Sequence, residues 1–110
     1  MDITTRDYKR AHVIRVTGRV DANTAPQFDD KLKEHIAAGH KHLVLEMDGT
    51  DFLSSAGARA LISAQKALRA KGGQLTLAQP SERVTEVLHL AGLEPLFPVY
   101  KDTEAAIGAI

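Results

Sequence analysis

The chain has 110 residues, a length typical of one domain, and its 14 basic residues balance 14 acidic ones. Nucleic-acid binders usually carry a basic excess, so binding to DNA or RNA is not expected, and the absence of cysteine excludes disulfides, thiolate catalysis and cysteine-ligated metals. The first residues lack the apolar core of a signal peptide and no apolar run reaches the length of a membrane span, so we expect one cytoplasmic domain over residues 1–110 that does not insert into a membrane.

The first part of the chain predicts a pair of strands followed by a helix. Residues 2–8 and 11–17 are expected to form strands around a tight turn, because the second segment alternates between two faces. A helix then begins near Asn23 or Thr24, either of which can cap it, and it ends at Gly39. Its apolar stripe consists of Phe28, Leu32 and Ile36.

The rest of the chain alternates between strands and helices. Residues 43–47 form a nearly continuous apolar run, typical of a strand covered on both faces, and residues 48–53 are expected to form a loop. The fold class is therefore α/β, with a small mixed β-sheet covered mainly on one face by about four helices. The later elements are a helix from Ser55 to about Lys71, a strand around Leu75 and Leu77, a helix capped by Ser81, a short strand over 97–100 and a last helix capped by Asp102.

The most informative segment is Glu46–Gly57, which places two hydroxyls where a loop meets the start of a helix. Free N–H groups and the helix dipole favour an anion there, so a phosphate on Ser55 would be tolerated by its own helix. Serine is also a preferred helix cap, so Ser54 or Ser55 could serve only as a cap, and this alternative stays open. Gly57 permits close approach of backbone or of a partner.

The helix after Ser55 also predicts a binding patch. Ala58 and Ile62 fall off the apolar stripe that should face the core, and Arg59 is adjacent to them. Apolar side chains in such a position, beside a candidate modification site, are typical of the centre of a binding surface. The core stripe itself consists of Gly57, Leu61, Ala64 and Leu68, with Ala60 and Ala67 beside it.

Other constellations give no indication of catalysis or of a metal site. His40 and His42 would need a third ligand, and His35 belongs to another predicted element, so surface positions are favoured for the histidines. Asp48 and Asp51 are typical turn residues. No Gly-x-Ser-x-Gly elbow and no glycine-rich phosphate loop occurs, so we expect neither an enzyme nor a cofactor.

The Glu46–Gly57 segment resembles the signature of STAS domains, the family of anti-sigma-factor antagonists. The usual signature reads Asp-Leu-Ser-Gly-Val, then aromatic, aliphatic, Asp-Ser-Ser-Gly-Leu, and this chain aligns to it without a gap. Gly18-Arg19-Val20-Asp21 with Thr24-Ala25 is similar to the family's Gly-aliphatic-Asp loop and the helix after it. The resemblance covers essentially the full chain and implies a STAS-like fold.

By this resemblance Ser55 falls on the phosphorylated serine, and Asp21 falls on the loop acid near it. Ser54 replaces the family's Asp before the phosphosite and becomes the second choice for phosphorylation. The predicted partner-binding residues are Asp21, Thr24, Ser54, Ser55, Gly57, Ala58, Arg59 and Ile62.

What the resemblance implies is partner switching. The unphosphorylated protein would bind an anti-sigma factor with serine kinase activity, phosphorylation at Ser55 would inactivate it, and a metal-dependent serine phosphatase would reverse this. Two other functions stay open at this point. One is a STAS scaffold or transporter-complex subunit that is not phosphorylated, and the other is a regulator that binds a small ligand.

Overall fold

Strands and helices alternate after an initial hairpin, and the computed structural model describes residues 1–110. The strands are β1 (Asp2–Asp7), β2 (His12–Val20), β3 (His42–Glu46), β4 (Thr50–Leu53), β5 (Gln74–Ala78) and β6 (Val99–Tyr100). The helices are α1 (Ala25–Ala37), α2 (Ser55–Ala70), α3 (Glu82–Leu90) and α4 (Thr103–Gly108), with a short 3₁₀ helix at Glu94–Leu96.

The strands form one mixed sheet in the order β1-β2-β3-β5-β6, with β4 beside β2. β1 is antiparallel to β2, and all other pairs are parallel, so the predicted mixed sheet is confirmed. β4 corrects the expectation of a loop over 48–53. β2 pairs with β3 only as far as Arg15. Its last residues pair instead with Thr50, Phe52 and Leu53, with a register shift between Gly18 and Arg19. The backbone of this short segment is thereby satisfied as a strand.

The alternation of side chains along the strands separates two apolar layers. The larger layer contains 20 buried residues and lies between the sheet and α1, α2 and α3. The smaller one contains five buried residues and includes Ala106 of α4 on the opposite face. Coverage mainly on one face is therefore confirmed, with the fourth helix on the other face. Ser81 and Asp102 cap α3 and α4 as predicted, accepting from the N–H groups of Val84 at 3.2 Å and Ala105 at 2.8 Å.

The side-chain amide of Gln65, on α2, takes the place of a strand beside β5. Gln65 is only 2% exposed, and its Nε2 atom donates to the carbonyl oxygens of Leu75, at 2.9 Å, and Leu96, at 2.8 Å. Its Oε1 atom accepts from the N–H of Leu75 at 2.7 Å. Because β6 pairs only with Leu77 and Ala78, Gln65 alone satisfies both backbone groups of Leu75 at this edge.

Glu46, at the end of β3, ties that strand to β1 and α4. Its side chain is nearly buried, and its Oε2 atom accepts hydrogen bonds from Arg6, at 2.7 Å, and from the hydroxyl of Thr103. Burial opposes ionisation of this carboxyl, but the hydrogen bonds and the charges of Arg6 and Arg15 outweigh burial. The pKa of Glu46 therefore lies below its usual value.

We expect Glu46→Gln to lower the free energy of unfolding by about 1–2 kcal/mol near neutral pH, because it removes a charge-assisted hydrogen bond whose Arg6 partner is half-exposed. Since the pKa is lower in the folded state, the stabilisation by Glu46 is fully present above the ordinary pKa of a glutamate carboxyl and is lost as pH falls through the lower folded-state pKa. Urea unfolding should therefore show the gap between wild type and variant closing below about pH 4. A gap that stays constant across this range would contradict the assignment.

Candidate functional site

The ends of two neighbouring parallel strands bring the predicted site residues together. β2 runs into the loop that holds Asp21, and β4 runs into the start of α2. The N–H of Ser54 donates to the carbonyl oxygen of Val20 at 2.8 Å, which fixes the first residues of α2 against the end of β2. The structure thus places Asp21, Ser54 and Ser55 at one edge of the sheet, as the two sequence motifs predict.

The two serines have different environments. The Ser54 hydroxyl is the cap of α2 and accepts from the N–H of Gly57 at 3.1 Å, and its backbone is extended, as expected for a capping residue. Ser55 is the first helical residue and is exposed, and its hydroxyl takes no part in the cap. The capping alternative therefore holds for Ser54 and leaves the Ser55 hydroxyl available to solvent or to a partner.

Asp21 organises the loop beside this helix start. Its Oδ1 atom accepts from the N–H groups of Thr24, at 3.0 Å, and Asn23, at 2.9 Å. The backbone hydrogen bond from Thr24, then those from Asn23 and the Thr24 hydroxyl, and the charge of Arg19 hold the pKa of Asp21 below its usual value. The Thr24 hydroxyl accepts from the N–H of Asp21 at 2.9 Å and donates to the carbonyl oxygen of Arg19 at 2.8 Å. Both predicted residues shape the loop through these bonds.

A cationic group that the sequence analysis missed also lies at this edge. The Arg19 guanidinium is 4.2 Å from the centre of the Phe52 ring, and its Nε atom is 3.7 Å from a carboxylate oxygen of Asp21. These residues meet because β2 pairs with β4, in register Arg19 to Phe52. Their contact depends on the strand that the sequence analysis assigned to a loop.

Two of the predicted partner-binding residues are buried, contrary to expectation. Gly57 is buried and faces the sheet, where a Cβ atom would lie 2.7 Å from Leu53 Cδ1 and 2.8 Å from Val20 Cγ1. Its role is close packing of α2 on the strand ends rather than contact with a partner. Ala58 is only 6% exposed, so the prediction that it lies off the buried face of α2 is wrong. A helical wheel of α2 alone does not include α3, whose residues Val87 and Leu90 line a groove together with Ala58.

An apolar groove lies between α2 and α3, next to Ser55. It has a volume of about 500 Å³, and Ser55 and Arg59 stand at its margin. Leu90 is 77% exposed there, which is unusual for a large apolar side chain, whereas Ile62 is half-buried rather than exposed as predicted. The apolar residues that line the groove are Ala58, Ile62, Val87, Leu90, Ala91 and Leu93.

The α3 side of the groove is missing from the predicted binding surface. Val87 is half-buried and Ala91 is exposed, and neither is among the predicted partner-binding residues. The signal was present in the chain, because Leu90 falls on the opposite side of α3 from the buried Val84 and Leu88. An apolar residue on the solvent side of an amphipathic helix indicates a contact surface.

The prediction of surface positions for the histidines is wrong for His12, which is only 6% exposed. His12, His35 and His40 lie together, with their ligand nitrogens within 4.8 Å of one another. They sit at the start of β2 and the end of α1, at the other end of the sheet from Ser55. Separately, none of the helices is long and apolar enough to span a lipid bilayer.

The comparisons with known proteins agree with this architecture. The STAS domain model matches residues 2–106. BtrV of Bordetella bronchiseptica, which is named as an anti-sigma factor antagonist, is 34% identical over 92 residues, covering 84% of this chain and 79% of that protein. A solved anti-sigma factor antagonist from Mycobacterium paratuberculosis superposes with a TM-score of 0.90 at 25% identity, covering 99% of this chain and 92% of that one.

A further solved structure, that of the anti-sigma factor antagonist SpoIIAA in its unphosphorylated form, has the same fold. It superposes with a TM-score of 0.82 at 24% identity, covering 98% of this chain and 96% of that one. The α/β fold that the resemblance implies is thereby confirmed, and anti-sigma factor antagonists are a non-enzymatic family. With its model matched over nearly the whole length, this chain belongs to the STAS-domain family.

Proposed function

We propose that this protein is an anti-sigma factor antagonist that binds its partner through the groove between α2 and α3 and is inactivated by phosphorylation at Ser55. One observation carries the proposal: the exposed Ser55 hydroxyl stands at a helix N-terminus, on the margin of an apolar groove that includes the exposed Leu90. The names of the relatives, BtrV among them, support an anti-sigma factor as the occupant of the groove.

The groove supplies the attractive part of the interaction. An exposed Leu90 beside half-buried Ile62 and Val87 presents apolar surface that loses contact with water when a partner covers it. Arg59, exposed at the margin, can pair with an acidic group of the partner. This combination of an apolar centre and a polar margin is typical of a protein interface.

Ser55 supplies the switch. Its hydroxyl is not needed by the helix, because Ser54 already caps α2. A phosphate there would be accepted by the free N–H groups of the first helical turn, so the domain can carry it without refolding. The partner is proposed to be an anti-sigma factor with serine kinase activity, and a metal-dependent serine phosphatase would restore the binding form.

Incubation with the cognate serine kinase and ATP, followed by mass spectrometry, should map the phosphate to Ser55. Ser55→Ala should abolish the modification and leave the melting temperature unchanged, because the residue is exposed and outside the cap. Ser54→Ala is the matched control: it should still be modified at Ser55 but lose about 1 kcal/mol of stability with its helix cap. Modification at Ser54 alone, or none in either form, would refute this assignment.

A further inference from the structure

We infer that His12, His35 and His40 form a binding site for a transition-metal ion, with Zn²⁺ as the first choice. The centre of the His12 imidazole ring lies 4.3 Å from the ring centre of His35 and 4.3 Å from that of His40. The ring centres of His35 and His40 are 5.8 Å apart. Their ligand nitrogens all lie within 4.8 Å of one another. Three histidines are a donor set that suits Zn²⁺ and leaves a fourth position open.

Unpartnered buried nitrogens give the first independent support. The Nε2 atoms of His12 and His35 are both buried and have no hydrogen-bond partner. The His12 side chain is 7% exposed, so solvent does not compensate for the missing partner. A buried polar atom without a partner is unfavourable, and a single ion would satisfy both nitrogens.

Asp7 gives the second support, because its contact determines which nitrogen of the His12 ring carries the proton. A carboxylate oxygen of Asp7 contacts Nδ1 of His12, so Nδ1 carries the proton and the Nε2 lone pair points into the cluster. This carboxylate–histidine arrangement is the usual outer contact of a metal-ligating histidine. Asp7 is itself well exposed, so it acts here as a positioning residue and not as a ligand.

Local backbone structure explains why His35 and His40 meet. Gly39 has a φ of +98°, and the N–H groups of Gly39 and His40 donate to the carbonyl oxygens of Ile36, at 3.1 Å, and His35, at 3.3 Å. This is a Schellman ending of α1, which brings the residue after the glycine next to a residue of the last turn. In this chain the two residues brought together are histidines. His12 joins them because its side chain lies on the sheet face that α1 covers.

The space around the cluster is compatible with a coordinated ion. A Zn²⁺ ion with Zn–N bonds of about 2.0–2.1 Å needs its nitrogens about 3.3 Å apart. Binding therefore requires the nitrogens to approach by about 1–1.5 Å and the stacked rings of His12 and His40 to tilt, so that their in-plane lone pairs converge. A cleft of about 400 Å³ bordered by His12 and His40 leaves room for a fourth ligand. Lys9, Arg10 and Lys41 line the same cleft; their charges oppose the bare cation and favour an anion or hydroxide as its fourth ligand.

This site lies well away from the proposed partner surface. β2 starts with His12 and ends with Val20, so eight steps of about 3.3 Å put the cluster roughly 26 Å from the strand end beside Ser54. A metal bound here would join β2, α1 and the segment before β3. We therefore expect it to raise stability without blocking the groove.

Calorimetric titration of chelator-treated protein without a histidine tag should show saturable binding of one Zn²⁺ per chain, together with a higher melting temperature. His35→Gln and His40→Gln should each weaken binding at least tenfold, since each removes one of three ligands. Asp7→Asn should weaken it about 10–100-fold while the protein stays folded. His42→Gln and His89→Gln are the controls, because both residues lie outside the cluster, and they should bind as wild type.

Imidazole NMR resonances provide a readout that does not depend on variant stability. Those of His12, His35 and His40 should shift on addition of Zn²⁺, and those of His42 and His89 should not. Absence of saturable binding, shifts confined to His42 or His89, or unchanged affinity in both His35→Gln and His40→Gln would overturn the inference. Loss of Zn²⁺ binding would leave phosphorylation of Ser55 unaffected, so the two proposals fail separately.

Discussion

Phosphorylation of Ser55 is expected to weaken binding to the anti-sigma factor more than a hundredfold while the fold stays intact. The phosphate adds about −1.5 to −2 charges at neutral pH, and the N-terminus of α2 favours that charge by roughly 0.3–1 kcal/mol. In a docked complex the same group must lose water next to an apolar groove. Unless the partner supplies donors, the penalty is several kcal/mol, and about 3 kcal/mol already exceeds a hundredfold in affinity.

Calorimetric titration of both forms against the anti-sigma factor measures this effect directly. Ser55→Ala should bind constitutively, and Ser55→Asp should weaken binding only in part, because a carboxylate has less charge and fewer oxygens than a phosphate. Equal affinities for the phosphorylated and unmodified proteins, both folded, would contradict the switch. The scaffold or transporter-subunit function would then take its place.

The same titration tests whether the groove is the docking surface. Leu90→Asp should weaken binding of the unmodified protein at least tenfold, because it puts a charge into the apolar contact. The substitution should change stability by only about 0.5 kcal/mol, since Leu90 is 77% exposed. Thr85→Asp adds the same charge to an exposed position of α3 outside the groove and should bind as wild type. Equal losses in both variants would indicate a general charge effect instead.

Replacement of Gln65 by Leu is expected to cost about 2–4 kcal/mol of the free energy of unfolding, although the residue does not line the proposed groove. The variant keeps a side chain of similar size but leaves the N–H and the carbonyl oxygen of Leu75 buried without partners. Each orphaned group costs about 1–3 kcal/mol, and the gain in apolar burial offsets part of this. Leu96 retains a hydrogen bond from Arg69 at 3.0 Å, so its carbonyl adds little.

Thermal and urea unfolding measure this loss, which corresponds to a fall in melting temperature of about 10 °C or more for a chain of this size. Lys66→Leu is the matched control, because it introduces the same side chain at the next, exposed position and should stay within about 0.5 kcal/mol of wild type. A Gln65→Leu variant as stable as wild type would show that Leu75 finds other partners.

The sequence predicts those elements correctly whose structure depends on residues close together in the chain. The caps at Ser81 and Asp102 are single side chains that satisfy N–H groups three residues ahead, so they are readable from spacing alone. The strand alternation after His12 likewise follows from one buried layer on each side of the sheet. β4 was missed because the strand that it pairs with, β2, lies some 30 positions earlier in the chain, and a four-residue segment has too short a pattern to predict that pairing.

The candidate site was predictable only in part, for a related reason. Ser55 and Asp21 follow strand ends, and the order of elements is enough to bring them together. The position of α3 beside α2 depends on tertiary packing, so the helical wheel of α2 placed Ala58 at the surface, and Leu90 of α3 was not predicted as part of the binding surface. The histidine cluster combines a helix end at Gly39 with a strand that is distant in the chain. The helix end can be predicted from the local sequence, but its contact with His12 cannot.

The packing of Gly57 implies very different mutational tolerance at two neighbouring positions. Any side chain at residue 57 would press on Val20 and Leu53, so a substitution there displaces the helix start from the sheet. Ser55, two residues earlier, is exposed and contributes nothing to the cap, so it can be exchanged or modified with the backbone held in place. Sequence change at 55 can therefore alter recognition in small steps, whereas change at 57 alters whether the surface exists at all.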